Sequence, residues 1–302
     1  SAAVAAAGLL MKRMDDMTVL VTGSTDGIGK RTALGLAGLG ARVLVHGRDE
    51  AKVVATVSDI GKTVGSGRLK GFAADLSSLA EVRRLASAVA MEDRLDVLIN
   101  NAGIGSGRRG RERRQVSADG YELRFAVNYL APFLLTRLLI PLLKRSAPSR
   151  IVNVSSLGQA PIDLGDIMLE RNYDGWEAYA QSKLALVMLT FDLAEELRDA
   201  GVTVNALHPG SLLDTKLVRE AFGRGRGSAQ EGADAVIHLA TSSQLDGVTG
   251  RFYDQYREVR ADPQAYDRGV REALRRYSLR LTGLKGDLPD AVEQRAGSVL
   301  PR

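Results

Sequence analysis

The 302 residues contain no cysteine, which excludes disulfides, thiolate catalysis and thiolate metal sites. That absence fits a reducing compartment, and a cytoplasmic protein is expected. Histidine is scarce: His46, His208 and His238 are the only three, they show no metal-ligand spacing, and they are read as structural, with no metal in the chemistry. No Lys/Arg run is long enough to mark a nucleic-acid arm, so the net charge of +5 is assigned in part to a phosphate-bearing cofactor and no nucleic-acid partner is expected. The opening SAAVAAAGLLMKRMDD holds an apolar stretch too short to span a bilayer, and Lys12 and Arg13 follow it, the reverse of a signal peptide. Residues 1–16 are read as a leader or cloning remnant, and no stable membrane insertion is expected. Internal repeats are missing, as is any break in composition before the tail. One domain over 17–255 with a C-terminal helical extension over 256–302 is the simplest organisation.

What is present alternates. MTVLVT at 17–22 is a short apolar, β-branched run bounded by glycine, as a strand buried on both faces would be. KRTALGLAGLG then carries apolar residues at helical spacing until Gly40. ARVLVHG, RLKGFAADL, RLDVLINNAG, SRIVNVSS, VTVNALHPG and GRFYDQ read as further strands. Helical patterns separate them, with long ones near 118–145, interrupted near its end by Pro141, and from Ala178 to Gly201. Strands alternating with helices predict an α/β fold: a Rossmann-type doubly wound parallel sheet of about seven strands flanked by helices. Three regions break the rhythm: an Arg-rich loop at 108–114, the stretch from Leu157 to Glu177, and the tail. Insertions of this kind sit on loops, where specificity is commonly found, although the Arg-rich loop is read as solvated charge.

TGSTDGIG at 22–29 joins the first strand to the first helix. Its glycines allow a tight turn and close approach of a pyrophosphate to the helix N-terminus, so Gly23, Ser24, Thr25, Asp26, Gly27, Ile28 and Gly29 are candidate dinucleotide contacts. Farther on, Tyr179 and Lys183 lie four apart on a helix and share a face. A fixed ammonium beside a phenol favours phenolate and is expected to lower the tyrosine pKa toward working pH, which makes Tyr179 a usable acid or base. Ser155 and Ser156 close a strand at the end that opens onto the ligand crevice of such sheets. Asn128, a poor residue for a helix interior, is marked as there for a reason.

In this order the motifs Thr22-Gly23-x3-Gly27-Ile28-Gly29, Asp75, Asn100-Asn101-Ala102-Gly103, Asn128, Ser156, Tyr179-x3-Lys183 and Pro209-Gly210 resemble the short-chain dehydrogenase/reductase family. The resemblance runs from about Met17 to the last strand. It implies hydride transfer between a nicotinamide and a carbonyl carbon, with Tyr179 as proton donor or acceptor, Ser156 on the substrate oxygen (Ser155 as fallback), Lys183 on the nicotinamide ribose, and Asn128 holding a water behind Lys183. It further implies that Asp75, with Leu76, meets the adenine, that Asn101, Ala102 and Gly103 support the adenosine, and that Pro209 and Gly210 border the cofactor. Family members commonly pair as dimers or tetramers through the two long helices. The insert PIDLGDIMLERNYDGWEA and the tail resemble retinol-dehydrogenase-like members, which points to a lipophilic or bulky small-molecule carbonyl or alcohol; Tyr173 and Trp176 are candidates for its entrance or for plain packing.

The choice of nicotinamide depends on the end of the second strand, where a carboxylate would meet a free ribose 2′-hydroxyl and an arginine a 2′-phosphate. The sequence there is VHGRD, so Gly47 and Arg48 favour NADP over NAD, while Asp26 and Asp49 pull the other way. Two other classes stay open at this point: an epimerase or dehydratase that retains its cofactor, and a non-catalytic binding protein on the same fold.

Overall fold

The computed structural model describes residues 14–107, 113–223, 225 and 227–285. The expected leader up to residue 13, most of the Arg-rich loop and the end of the tail lie outside the described residues. Eight strands form one sheet: β1 (Thr18–Val21), β2 (Arg42–Gly47), β3 (Leu69–Ala73), β4 (Val97–Asn100), β5 (Ser149–Val154), β6 (Val202–His208), β7 (Phe252–Asp254) and β8 (Arg257–Glu258). Their order is β3-β2-β1-β4-β5-β6-β7-β8. Every residue of β1 and β4 is buried, as strands covered on both faces must be. β1 pairs in parallel with β2 on one side and β4 on the other, so the chain reverses its direction of winding there and opens a crevice at the strands' carboxyl ends. The eighth strand was not expected. It pairs antiparallel with β7 through two exposed charged residues, too short for any alternation to show in sequence.

Helices α1 (Gly27–Gly38), α2 (Glu50–Val64), α3 (Leu79–Val89), α4 (Leu123–Arg145), α5 (Gly175–Glu196), α6 (Lys216–Phe222), α7 (Ala229–Thr241) and α8 (Arg268–Thr282) complete the chain. One face of the sheet is covered by α1, α2 and α7 around Leu36, Val53 and Val236; the other by α3, α4 and α5 around Leu85, Leu134 and Leu184. Met14 lies ahead of the expected start of the fold, yet it is buried with the first of these clusters and its N–H bonds the Leu39 carbonyl.

The helix expected over 118–145 begins only at Leu123, where the buried Glu122 carboxylate accepts from the Phe125 N–H. Before it, Val116 and Glu122 form a bridge across a turn with Gly120 at φ +84°. The helix is not interrupted at Pro141: Leu139, Leu142 and Leu143 are buried on either side, and their packing outweighs one lost backbone hydrogen bond. A π-helical turn at Ala126–Leu130 lies inside it. By length and hydropathy α4 could span a membrane, but 78% of that apolar window is buried in the protein's own core.

Part of the tail belongs to that core. Leu274 and Leu279 of α8 are buried, Arg271 pairs with Asp192 (3.3 Å) and Glu195 (2.8 Å) of α5, and the Ser278 and Tyr129 hydroxyls share a 2.7 Å hydrogen bond. Some of the long-helix surface offered above for self-association is therefore covered by the chain itself.

Candidate active site

The glycine-rich turn leaves β1 under close backbone constraint. Gly23 sits at φ +64°, and a Cβ on it would stand 2.8 Å from the Ala102 Cα; a Cβ on Gly29 would stand 2.2 Å from the Gly23 carbonyl oxygen. Only hydrogen fits at either position. The Thr22 hydroxyl accepts from the N–H groups of Asn101 (2.9 Å) and Ala102 (3.0 Å), and Asn101 Nδ2 donates back to the Thr22 carbonyl (2.8 Å). Asn101 and Ala102 thus fasten the ends of β1 and β4 together. From the opposite side His46 Nδ1 accepts from the Gly23 N–H (3.1 Å), while its Nε2 faces the Ala74 carbonyl (3.1 Å) and must donate. Burial pulls His46 down to about 4, against the raising effects of the Ala74 carbonyl and Asp75, so the ring bridges as a neutral donor–acceptor. Sequence reading took it as structural; what it supports is the turn.

A cleft of about 1510 Å³ opens over this turn. Gly23, Thr25, Asp26, Gly27, Ile28 and Gly29 line it, and Arg48, Asp75, Leu76, Ala102 and Gly103 extend the wall. Ser24 does not: its buried hydroxyl donates to the Val21 carbonyl (2.8 Å) and accepts from the His46 N–H (2.9 Å), so it stands in for a ladder partner and turns away from the cleft. Asp26 caps α1 by accepting from the Gly27 N–H at 2.7 Å, and Asp49 caps α2. Arg48 is exposed on the rim, and among the described residues no hydrogen bond or ion pair engages it. At Gly47 a Cβ would meet Thr25 Cγ2 at 2.5 Å, so a side chain here would require Thr25 to shift. One Asp75 oxygen accepts from the Ser77 N–H (2.9 Å). Pro209 and Gly210 follow β6 outside the lining of the cleft.

At the cleft's inner end, a Cβ on Gly103 would stand 3.2 Å from Asn128 Oδ1 and 3.4 Å from Lys183 Nζ. Asn128 is fully buried within the π-helical turn; its Oδ1 accepts from the Ile104 N–H (2.8 Å), and its Nδ2 donates to the Ile104 carbonyl (3.0 Å) and Ser182 Oγ (3.0 Å). It clamps the loop after β4. Lys183 Nζ donates to the Val154 carbonyl (3.0 Å) and lies 5.8 Å from the Tyr179 ring centroid. Desolvation pulls Lys183 down to about 8, so it remains mostly protonated at neutral pH.

The expected lowering of the Tyr179 pKa is not found. Burial raises it, and a hydrogen bond with Ser156 pulls it only part of the way back. Desolvation of the phenolate outweighs the Ser156 hydrogen bond, and the protein by itself keeps Tyr179 protonated. Ser156 Oγ also accepts from the Gly158 N–H at 3.0 Å. Ser155 cannot replace it, because its hydroxyl is buried and bonded to the Lys183 carbonyl at 2.8 Å.

Of the two aromatic entrance candidates, Tyr173 is tied down: its hydroxyl donates to Glu122 Oε1 (3.0 Å) and accepts from Arg124 Nη1 (2.6 Å). Arg124 in turn donates to the Gly105 carbonyl at 2.8 Å and lines the cleft. No periodicity marks Glu122 and Arg124, two buried charges that sequence reading missed; only their position at a helix start hints at the cap. Trp176 is 44% exposed, its ring centroid 5.9 Å from that of Tyr179.

Residues 17–224 match the family model described as short chain dehydrogenase. Retinol dehydrogenase 13 of Mus musculus is 39% identical over 291 residues, covering 88% of this chain and 84% of that protein. Retinol dehydrogenase 14 of Homo sapiens is 37% identical, covering 90% and 88%. Among solved structures, a protein from Mycobacterium Paratuberculosis superposes with a TM-score of 0.75 at 32% identity, covering 93% of this chain and 98% of that one. The Pseudomonas aeruginosa RhlG/NADP active-site complex gives 0.64 at 31% identity over 79% and 94%.

Proposed function

The chain belongs to the short-chain dehydrogenase/reductase family of NAD(P)-dependent oxidoreductases, and from that membership we propose that it reduces a lipophilic or bulky ketone or aldehyde, or oxidises the matching alcohol, with NADP preferred. The observation that carries the reading is the meeting of Ser156, Tyr179 and Lys183 beside a glycine-lined cleft of about 1510 Å³: Ser156 bonds Tyr179, Lys183 Nζ lies 5.8 Å from the Tyr179 ring, and a Cβ on Gly103 in the cleft wall would stand 3.4 Å from that Nζ.

Residues and ligand class fit. The cradle admits no Cβ at Gly29 and faces the N-terminus of α1, as a pyrophosphate requires. Arg48 is unengaged on the rim, and Gly47 brings no carboxylate to meet a free 2′-hydroxyl; both support a 2′-phosphate. When bound, the nicotinamide supplies or takes the hydride. Tyr179, kept protonated by burial, gives its proton to the substrate oxygen in the reducing direction, while Ser156 donates a hydrogen bond to that oxygen. Lys183, held by the Val154 carbonyl, sets a positive charge near the phenol as that proton leaves. Asn128 keeps the Ile104 loop against the site. The substrate class follows the relatives, which are retinol dehydrogenases. Placement in the cytoplasm rests on the cysteine-free composition.

The test is a panel of lipophilic and small ketones, aldehydes and alcohols with reduced and oxidised NADP and NAD, followed by nicotinamide absorbance. Turnover with NADPH exceeding that with NADH at equal concentration is expected. No net cofactor consumption on any substrate would remove the reading.

A further inference from the structure

Trp176 is the chain's only tryptophan. It occupies the first turn of α5, three residues before Tyr179, so the two side chains share a helix face. Their ring centroids are 5.9 Å apart with planes inclined by 36°. On its other side the indole abuts Gly158, where a Cβ would come within 2.9 Å of Trp176 Cη2 and 3.4 Å of Ser156 Oγ. The ring therefore reaches from beside the phenol to within a side chain's width of the serine hydroxyl. Despite this seat it is 44% exposed, and Leu157, next to Ser156 in the chain, is 47% exposed. Core packing does not account for an indole left this exposed against a pair of converging hydroxyls, whereas an apolar wall beside a few polar anchors is how a small-molecule site is built. Tyr173, by contrast, has its hydroxyl bonded to both Glu122 and Arg124 and serves as a fastening for the inserted stretch.

We infer that Trp176 is a specificity-determining residue: its indole stacks against the apolar, planar body of a carbonyl substrate whose oxygen lies at Ser156 and Tyr179. The occupant follows from continuity, since a molecule whose oxygen reaches those hydroxyls must lay its carbon skeleton along the exposed ring. Flat unsaturated or aromatic carbonyl compounds are thereby favoured over short aliphatic ones. This inference rests on the assignment of Ser156 and Tyr179 to the substrate oxygen.

Steady-state kinetics on the full chain with an aromatic ketone and a short aliphatic aldehyde decide it. Trp176→Ala lowers the ratio of kcat/KM for the ketone over that for the aldehyde about tenfold, and Trp176→Phe keeps the ratio within about threefold of the native value. An equal fall for both substrates overturns the inference. The native chain supplies a second readout that no folding defect can disturb, because all tryptophan emission comes from this residue. Titrating the aromatic ketone into protein saturated with oxidised NADP quenches that emission saturably if the ring is covered; unchanged emission overturns the inference. A native chain that turns over no carbonyl at all would instead sink the oxidoreductase reading, and the emission titration would still decide whether Trp176 receives a flat apolar ligand.

Discussion

At the glycine-rich end of the cleft, the polar groups that hold the turn are partnered within the protein: Thr22 with Asn101 and Ala102, His46 with Gly23 and Ala74, Ser24 with Val21. Beside the cleft, at Tyr179 and Lys183, burial drives two titratable side chains away from their charged forms, Tyr179 upward and Lys183 down to about 8. The first end is finished without a ligand. The second is electrically uneven, and its groups reach working states only when a substrate oxygen and the charges of a cofactor enter the same space. Binding and chemistry are thus assigned to regions whose stabilities come from different sources, and each can be disturbed without the other.

The largest separation of the two is expected from Tyr179→Phe, which removes the proton donor but leaves the apolar contacts of the ring. Turnover should fall on the order of 10³-fold, while dinucleotide affinity, read by calorimetry, stays within about twofold. A parallel loss of both would mean that the two ends are one unit.

Next in size is a pH effect confined to the glycine-rich end. The folded pKa of His46, about 4, lies below its ordinary value of 6.5, so the unfolded chain takes up a proton first as pH falls. The stability that the neutral ring contributes is complete above pH 6.5 and is lost between 6.5 and about 4, a total of ~3 kcal/mol. Denaturant titrations across this window measure it, and His46→Asn should flatten the slope. A slope unchanged in that variant would assign the acid sensitivity elsewhere.

The smallest expected effect sharpens the rim. Arg48→Ala should lower the NADP-to-NAD affinity ratio about tenfold, the worth of one charge-assisted hydrogen bond. An equal weakening of both cofactors would make Arg48 a general anion attractor.

The alternation of buried strands and amphipathic helices was legible because each strand is apolar along its length, and the glycine cradle because Gly29 tolerates nothing larger. Tyr179 and Lys183 were legible from a four-residue helical spacing. Side-chain direction was not. Ser24 stands among the cradle residues but is recruited inward by Val21 and His46, and nothing in TGSTDGIG distinguishes it from Thr25. Nor does a sequence pattern show how deeply a phenol is desolvated, which is why the Tyr179 shift was expected with the wrong sign. The eighth strand and the true start of α4 escaped for a plainer reason: both are set by turn pairings across two to five intervening residues, too short to show a period.

The π-helical turn has a consequence for everything that follows it in α4. The Ala131 N–H returns to the Ala126 carbonyl, five residues back where an α-helix would use four. That extra residue acts as a phase slip between two helical segments, each turned toward its own neighbour. Within the turn the phase aims Asn128 at Ile104 and Ser182; downstream it aims Leu134, Leu139 and Leu142 into the core. Excising one residue there would re-mesh the segments as a continuous α-helix and rotate one against the other by about 100°. Either the amide or the leucines would then lose their seats.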